Sequence, residues 1–320
     1  MLYDYKSAYN LIENANNILL TTHTDPDGDA LGSLCAFTDL FEKNNKKYKA
    51  LVDDINDTYH FLPGIHNITI HNGTINISDF DLIITNDFSE LSRSCIKEDL
   101  EEAIRNRTKI INFDHHQFND RFGTINIVEE HSSSTTNILF KFFEINNIDI
   151  SRNMATCLLA GILTDTSNLS NSATTLESID IVSKLLLKGA RFYRINQNTI
   201  FNKDLITMKL WGILLRRLKT NTKLNIAYTV ITKEDFKKYN LTPESIEGLS
   251  NYLSQITGVN AILVLKENGE GLIRGSMRSI ADNVDVSKLA RAMGGGGHKK
   301  AAGFSVKGQL IKTENGWKVE

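Results

Sequence analysis

Only three cysteines occur in 320 residues: Cys35, Cys95 and Cys157. They lie far apart with no C-x-x-C spacing, which argues against a disulfide framework or a zinc ribbon and points to a reducing cytoplasm. An excess of charge of one sign is also lacking, since 36 basic and 38 acidic side chains leave a formal net charge of −2. No global field therefore steers the chain to long duplex nucleic acid or to an anionic membrane, and phosphate recognition must be local. No apolar run approaches the ~20 residues of a membrane helix, and no basic stretch followed by an apolar one opens the chain. Internal repeats and low-complexity tracts are absent. What is present is 41% hydrophobic residues, in a length that suits about two domains with full cores.

The apolar pattern switches repeatedly between helical and strand periods. Residues 4–16, 30–42, 96–106, 134–146, 153–163 and 175–188 have helical spacing, whereas 18–22, 48–52, 82–85 and 109–113 are short β-rich runs. Alternation of this kind predicts α/β architecture with a doubly wound, mainly parallel sheet over residues 1–190. Residues 191–219 read as a helical connector. From 220 to 320 the texture becomes that of a smaller α/β domain, with strands at 224–231, 261–265 and 272–277 and helices at 244–256 and 286–293.

Four apolar runs end in metal-ligating chemistry. Residues 18–22 lead into His23, Asp27 and Asp29, residues 82–85 into Asp87, residues 109–113 into Asp114, His115 and His116, and residues 158–164 into Asp165. Three of these are strand ends, where open α/β sheets bind ligands, and the fourth is a helix end. Pro26 and Gly28 enforce a turn that can aim His23, Asp27 and Asp29 into one space. Taken alone, that loop could be an Asp-rich turn in which Asp29 caps the helix from Ala30. With the other three ends, imidazoles and carboxylates form a donor set suited to Mn2+ or Mg2+. Two histidines and four carboxylates exceed the needs of one ion and imply two, the arrangement of phosphoester hydrolysis. Glu129, Glu130 and His131 form a second trio, read as a loop near the site mouth. Gly294 to His298 follow a helix, and with Arg274 and Arg278 they read as a clamp for phosphate or nucleotide, since glycine lets backbone N–H groups approach an anion.

These motifs resemble those of the DHH phosphoesterases. T-H-T-D-P-D-G-D at 22–29, Asp87, Asp114-His115-His116 and G-I-L-T-D-T at 161–166 are similar to the family's metal motifs. Arg278-Ser279, V-D-V-S at 284–287 and G-G-G-G-H-K-K-A-A-G-F at 294–304 resemble the DHH-associated substrate domain. The chain departs from the pattern after Asp165-Thr166, where Ser167-Asn168-Leu169 stands in place of glycine and an aromatic.

The resemblance implies that His23, Asp27 and Asp87 hold one ion, and that Asp29, His115, Asp165 and the shared Asp87 hold the other. Mn2+ is expected first, with Mg2+ or Co2+ as alternatives. His116, with Asp114, would act on the scissile phosphate, and Arg274, Arg278, Ser279, Gly295, Gly296, Gly297 and His298 would bind substrate. The short two-domain layout is similar to the nano-RNase (oligoribonuclease) and 3'-phosphoadenosine 5'-phosphate (pAp) phosphatase branch. The expected partners are single-stranded oligoribonucleotides of a few residues, pAp or pApA, with no long duplex and no membrane; a homodimer is compatible. A cyclic-di-AMP or pApA phosphodiesterase is the alternative, and a nucleotide-binding protein without turnover is a third reading.

Overall fold

In the computed structural model, residues 2–200, 205–239, 248–268, 271–297, 299–314 and 316–320 are described. The chain divides into two compact units, 1–202 and 203–320. The first is built on a six-stranded, wholly parallel sheet with strands β1 (Ile18–Thr22), β2 (Tyr48–Val52), β3 (Ile68–Ile70), β4 (Leu82–Asn86), β5 (Lys109–Asp114) and β6 (Ile125–Val128). Its order is β3-β2-β1-β4-β5-β6. The connections run outward in both directions from the β1/β4 pair, so that pair is the switch point where a crevice opens at the strand C-termini.

Helices α1 (Leu2–Asn14), α2 (Gly28–Lys43), α3 (Lys97–Arg105), α4 (Thr135–Ile145), α5 (Arg152–Asp165), α6 (Leu176–Leu187) and α7 (Phe192–Thr199) cover this sheet. Because β1, β4 and β5 are buried on both faces, they read as continuous apolar runs instead of alternating ones. Ile18, Leu20, Ile84, Ile111 and Phe113 face the core shared with α2, α4 and α5. Leu19, Ile83 and Ile110 face the smaller core under α3. Phe113 packs edge-on to Phe142 at 5.2 Å and lies 5.7 Å from Phe37. Each such fully buried ring contributes about 1.5–3 kcal/mol, and this one anchors the strand end that carries Asp114.

Periodicity passed over β3 and β6. They are edge strands of three and four residues with half-exposed side chains, too short to show a period.

The second unit holds α8 (Leu205–Arg216), β7 (Lys219–Asn221), β8 (Ile226–Ile231), α9 (Lys233–Tyr239), α10 (Leu249–Leu253), β9 (Ala261–Asn268), β10 (Leu272–Ser279), α11 (Val286–Ala292), β11 (Gly296–Gly297), β12 (Ala301–Lys307), β13 (Leu310–Thr313) and β14 (Gly316–Val319). Its mixed sheet runs β11-β12-β10-β9-β8-β7, beside a separate β13-β14 hairpin. The helix expected at 244–256 falls partly outside the described residues; α10 is the part within them. The stretch expected as a connector contains α7, whose Ile195 joins the first core, and α8, whose Leu210 and Leu214 join the second. Among the described residues, no helix is long and apolar enough to cross a membrane.

Candidate metal centre

Sheet register brings the motif residues into one row. Thr22 pairs with Asn86 and Asn86 with Phe113, so the next residues, His23, Asp87 and Asp114, leave three adjacent strands at the same level. Asp87 is held there in a left-handed conformation (φ 62°), with its N–H bonded to Phe113 O at 2.9 Å. A non-glycine residue in that region carries strain that surrounding contacts must offset. Asp165 arrives from elsewhere, at the C-terminus of α5, followed by Ser167, Asn168 and Leu169 all at positive φ.

Two ligand trios result. His23, Asp27 and Asp87 offer donor atoms all within 4.8 Å of one another, and so do Asp29, His115 and Asp165. Asp87 joins the two: its Oδ2 lies 3.6 Å from His23 Nε2 and its Oδ1 3.4 Å from His115 Nε2. His115 Nε2 also stands 3.1 Å from Asp165 Oδ2. Asp87, His115 and His116 form a third such group, but His116 Nδ1 is 2.6 Å from Asp114 Oδ1 and 3.8 Å from Asp87 Oδ1. That short contact makes His116 an imidazole oriented by a buried carboxylate, with its tautomer set by the bond to Asp114.

The structure also decides against the alternative in which Asp29 merely caps the helix. Asp27, not Asp29, caps α2, accepting from the Asp29 and Ala30 backbone N–H groups. Asp29 is fully buried and accepts from Thr135 N at 2.6 Å, Thr136 N at 2.9 Å and Thr136 Oγ1 at 2.6 Å. The N-terminus of α4 thus cradles this carboxylate, where exposed N–H groups and the helix dipole favour negative charge. Thr135 Oγ1 donates to Asp87 Oδ1 at 3.0 Å. Sequence reasoning missed both threonines; the one available signal was the run of five hydroxyl residues, 132–136, opening a helix.

Four carboxylates share this space, and among the described residues Asp87 and Asp165 pair with histidines. Burial and then the charges of Asp87 and Asp165 push the Asp29 carboxyl well above its usual range. Asp27 is exposed by area yet closely surrounded; desolvation, then Asp165 and Asp87, push it up to about 6, a rise that its contact with solvent moderates. Burial opposes the charged forms of His23 and His115, but the facing carboxylates outweigh it and raise both pKa values. Burial likewise opposes ionisation of Asp87, and its hydrogen bonds with His115 and His23 reverse that and hold it low. Mutual repulsion of this kind is what divalent cations relieve, and the oxygen-rich donor set with imidazoles fits Mn2+ or Mg2+.

Beyond these trios the expected residues disperse. Glu129 bonds Tyr5 Oη and Lys141, and with Glu130 and His131 it lines a separate open hollow of about 690 Å³. In the second unit, Arg274 and Arg278 follow the same alternation on β10, Arg274 exposed and Arg278 partly buried with its Nη1 donating to Met277 O. The Ser279 hydroxyl bonds the Ala281 and Val284 carbonyls at 2.7 and 2.8 Å, so it is engaged in its own loop. Gly295 and Gly297 press against β12: a Cβ at either would overlap the backbone of Gly303 or Ala301. Close strand packing therefore demands glycine at both, whereas Gly296 faces open space. His298 lies outside the described residues.

The sequence matches the model of the DHH family N-terminal domain over residues 17–162 and that of the DHHA1 domain over residues 223–315. The chain belongs to the DHH family. Both ligand trios draw most of their members from the matched DHH segment, and Asp165 follows it by three residues. This DHH protein is 26% identical to the bifunctional oligoribonuclease and PAP phosphatase NrnA of Thermus thermophilus, over 91% of this chain and 84% of that protein. It is equally 26% identical to the probable enzyme of the same name from Streptococcus mutans, over 93% and 92% of the two chains. Among solved structures, an exopolyphosphatase-related protein from Bacteroides fragilis superposes with a TM-score of 0.87 at 26% identity, covering 95% of this chain and 91% of that one.

Proposed function

We propose that this chain is a Mn2+-dependent phosphoesterase that hydrolyses oligoribonucleotides of a few residues to mononucleotides, and pAp to AMP and phosphate. The observation that carries this reading is the pair of ligand trios joined through Asp87, at the switch point of the parallel sheet. The relatives named as oligoribonucleases and PAP phosphatases, matched along nearly their whole length, support the substrate class.

His23, Asp27 and Asp87 would hold one ion, and Asp29, His115 and Asp165 with Asp87 the other. Such ions neutralise phosphate charge and acidify water. The residues themselves position the donors: the α4 N-terminus orients Asp29, Thr135 steadies Asp87, and Asp114 fixes the His116 ring. Through Nε2, His116 would donate to a phosphate oxygen as charge develops on it. A water oxygen joins phosphorus, the P–O ester bond breaks, and the departing oxygen leaves with a proton. Arg274 and Arg278, on the second unit, would offer charge-assisted donors to a phosphate group.

Purified protein with Mn2+ should convert pApA to AMP, a trinucleotide to its mononucleotides, and pAp to AMP and phosphate. Turnover of cyclic-di-AMP alone would move the assignment to a cyclic-dinucleotide phosphodiesterase. Failure on all four substrates with Mn2+, Mg2+ and Co2+ would overturn the reading.

A further inference from the structure

Phe118 plays no part in the metal centre, yet it sits on the loop that leaves it. Its side chain is 75% exposed. Single exposed hydrophobic residues are ordinary on protein surfaces, so the exposure matters only because of what surrounds it. His116 Nδ1 contacts Asp114 Oδ1 and Asn119 Nδ2 donates to Asp114 Oδ2, both at 2.6 Å. One fully buried carboxylate therefore grips the chain on either side of Phe118. Asn119 Oδ1 also accepts from Arg121 N at 2.7 Å, and Asp120 N donates to Ser89 O at 2.8 Å. Two virtual bonds separate Phe118 from His116, so their Cα atoms are at most about 7.6 Å apart.

A ring carried on backbone that is already ordered can receive a ligand with little further loss of entropy. We infer that Phe118 is a specificity-determining residue that stacks on a nucleobase of the substrate whose phosphate meets His116. The inference rests on the proposed action on nucleotides and deepens it. A phenyl face accepts any base, so it favours nucleotides over other phosphoesters without selecting a sequence.

The test compares KM and kcat for pApA with those for the same backbone lacking both bases. Phe118→Ala should raise KM for pApA about tenfold, leave kcat little changed, and leave the abasic compound unaffected. Phe118→Tyr should restore the parent KM and Phe118→Leu should not. Because the site is exposed, all three variants should melt as the parent does. Phe118→Trp gives a readout independent of turnover: AMP with Mg2+ should quench its fluorescence beyond any change seen in the parent. If the parent cleaves pApA and Phe118→Ala matches it in KM, the stacking role is wrong and the proposed function stands. If the parent cleaves no oligonucleotide, the proposed function fails and the titration decides, with an unquenched Trp at 118 overturning the inference.

Discussion

Asp114 Oδ1 lies 2.6 Å from His116 Nδ1, and this contact gives two adjacent histidines different surroundings. His115 turns Nε2 toward Asp87 and Asp165. His116 instead spends Nδ1 on a carboxylate that is fully buried and also bonded by Asn119. Burial disfavours the imidazolium, but the Asp114 bond and the Asp87 charge outweigh it and raise the His116 pKa. His116→Ala should therefore keep both ions and lose at least about 10²-fold in kcat. Asp114→Asn, which leaves the ring present but poorly oriented, should lose about 10- to 100-fold. Elemental analysis beside steady-state kinetics checks both; loss of metal from His116→Ala would make it a ligand.

Asp87 belongs to one trio and reaches His115 of the other at 3.4 Å, so under the proposed reading its removal should be felt by both ions. Asp87→Ala is expected to bind at most one Mn2+ per chain and to lose turnover by at least about 10²-fold. Ligand binding to the folded state adds stability, about 2.7 kcal/mol at 100 times Kd. Mn2+ should accordingly raise the melting temperature of stripped parent protein and raise that of Asp87→Ala much less. A variant with two ions and normal activity would refute the bridging position.

Gly161 on α5 tests how tightly the second trio is built. A Cβ there would lie 2.5 Å from Asp29 Oδ1 and closer still to Thr136 Oγ1. Neither atom can retreat cheaply, because both belong to the buried contact between α4 and Asp29. Gly161→Ala should cost about 1–3 kcal/mol of stability and weaken Mn2+ binding together with it. Calorimetry and a metal titration on the same preparation would check this; unchanged affinity would mean that α4 shifts without moving the carboxylate.

How much of this was legible beforehand depended on the kind of atom involved. His23, Asp87, Asp114 and Asp165 are side chains at the ends of buried apolar runs, so composition and position exposed them. The cradle for Asp29 is made largely of the Thr135 and Thr136 backbone N–H groups, which every residue but proline carries. No residue code signals them. Which aspartate of the 27–29 turn caps α2 was not legible for a related reason, because Asp27 and Asp29 are chemically identical and only the backbone path distinguishes them. In the second unit, β12 pairs along seven residues with β10, yet its Ala301-Ala302-Gly303 start has no strand-like side chains to reveal it.

The last prediction concerns acid stability of the second unit. Arg217 grips Asp235 with two bonds, Nη1 to Oδ2 at 2.5 Å and Nη2 to Oδ1 at 2.9 Å, and Thr232 adds bonds from its N–H and hydroxyl. Burial alone would raise the Asp235 pKa, but the Arg217 and Thr232 hydrogen bonds overcome that and lower it. A carboxyl with a depressed folded-state pKa contributes its stability above the unfolded value near 4 and loses it as pH falls through the folded value. Asp235→Asn, which removes the charge and keeps the shape, should be less stable than the parent at pH 7 by about 1.5–3 kcal/mol. That gap should narrow as pH falls below about 4 toward the folded-state value, because other carboxyls titrate alike in both proteins. Trp317 lies 6.0 Å from the Arg217 guanidinium and reports locally. Urea unfolding followed by tryptophan fluorescence at pH 7 and pH 3 measures the gap, and a difference independent of pH would show that the pair contributes shape and not charge.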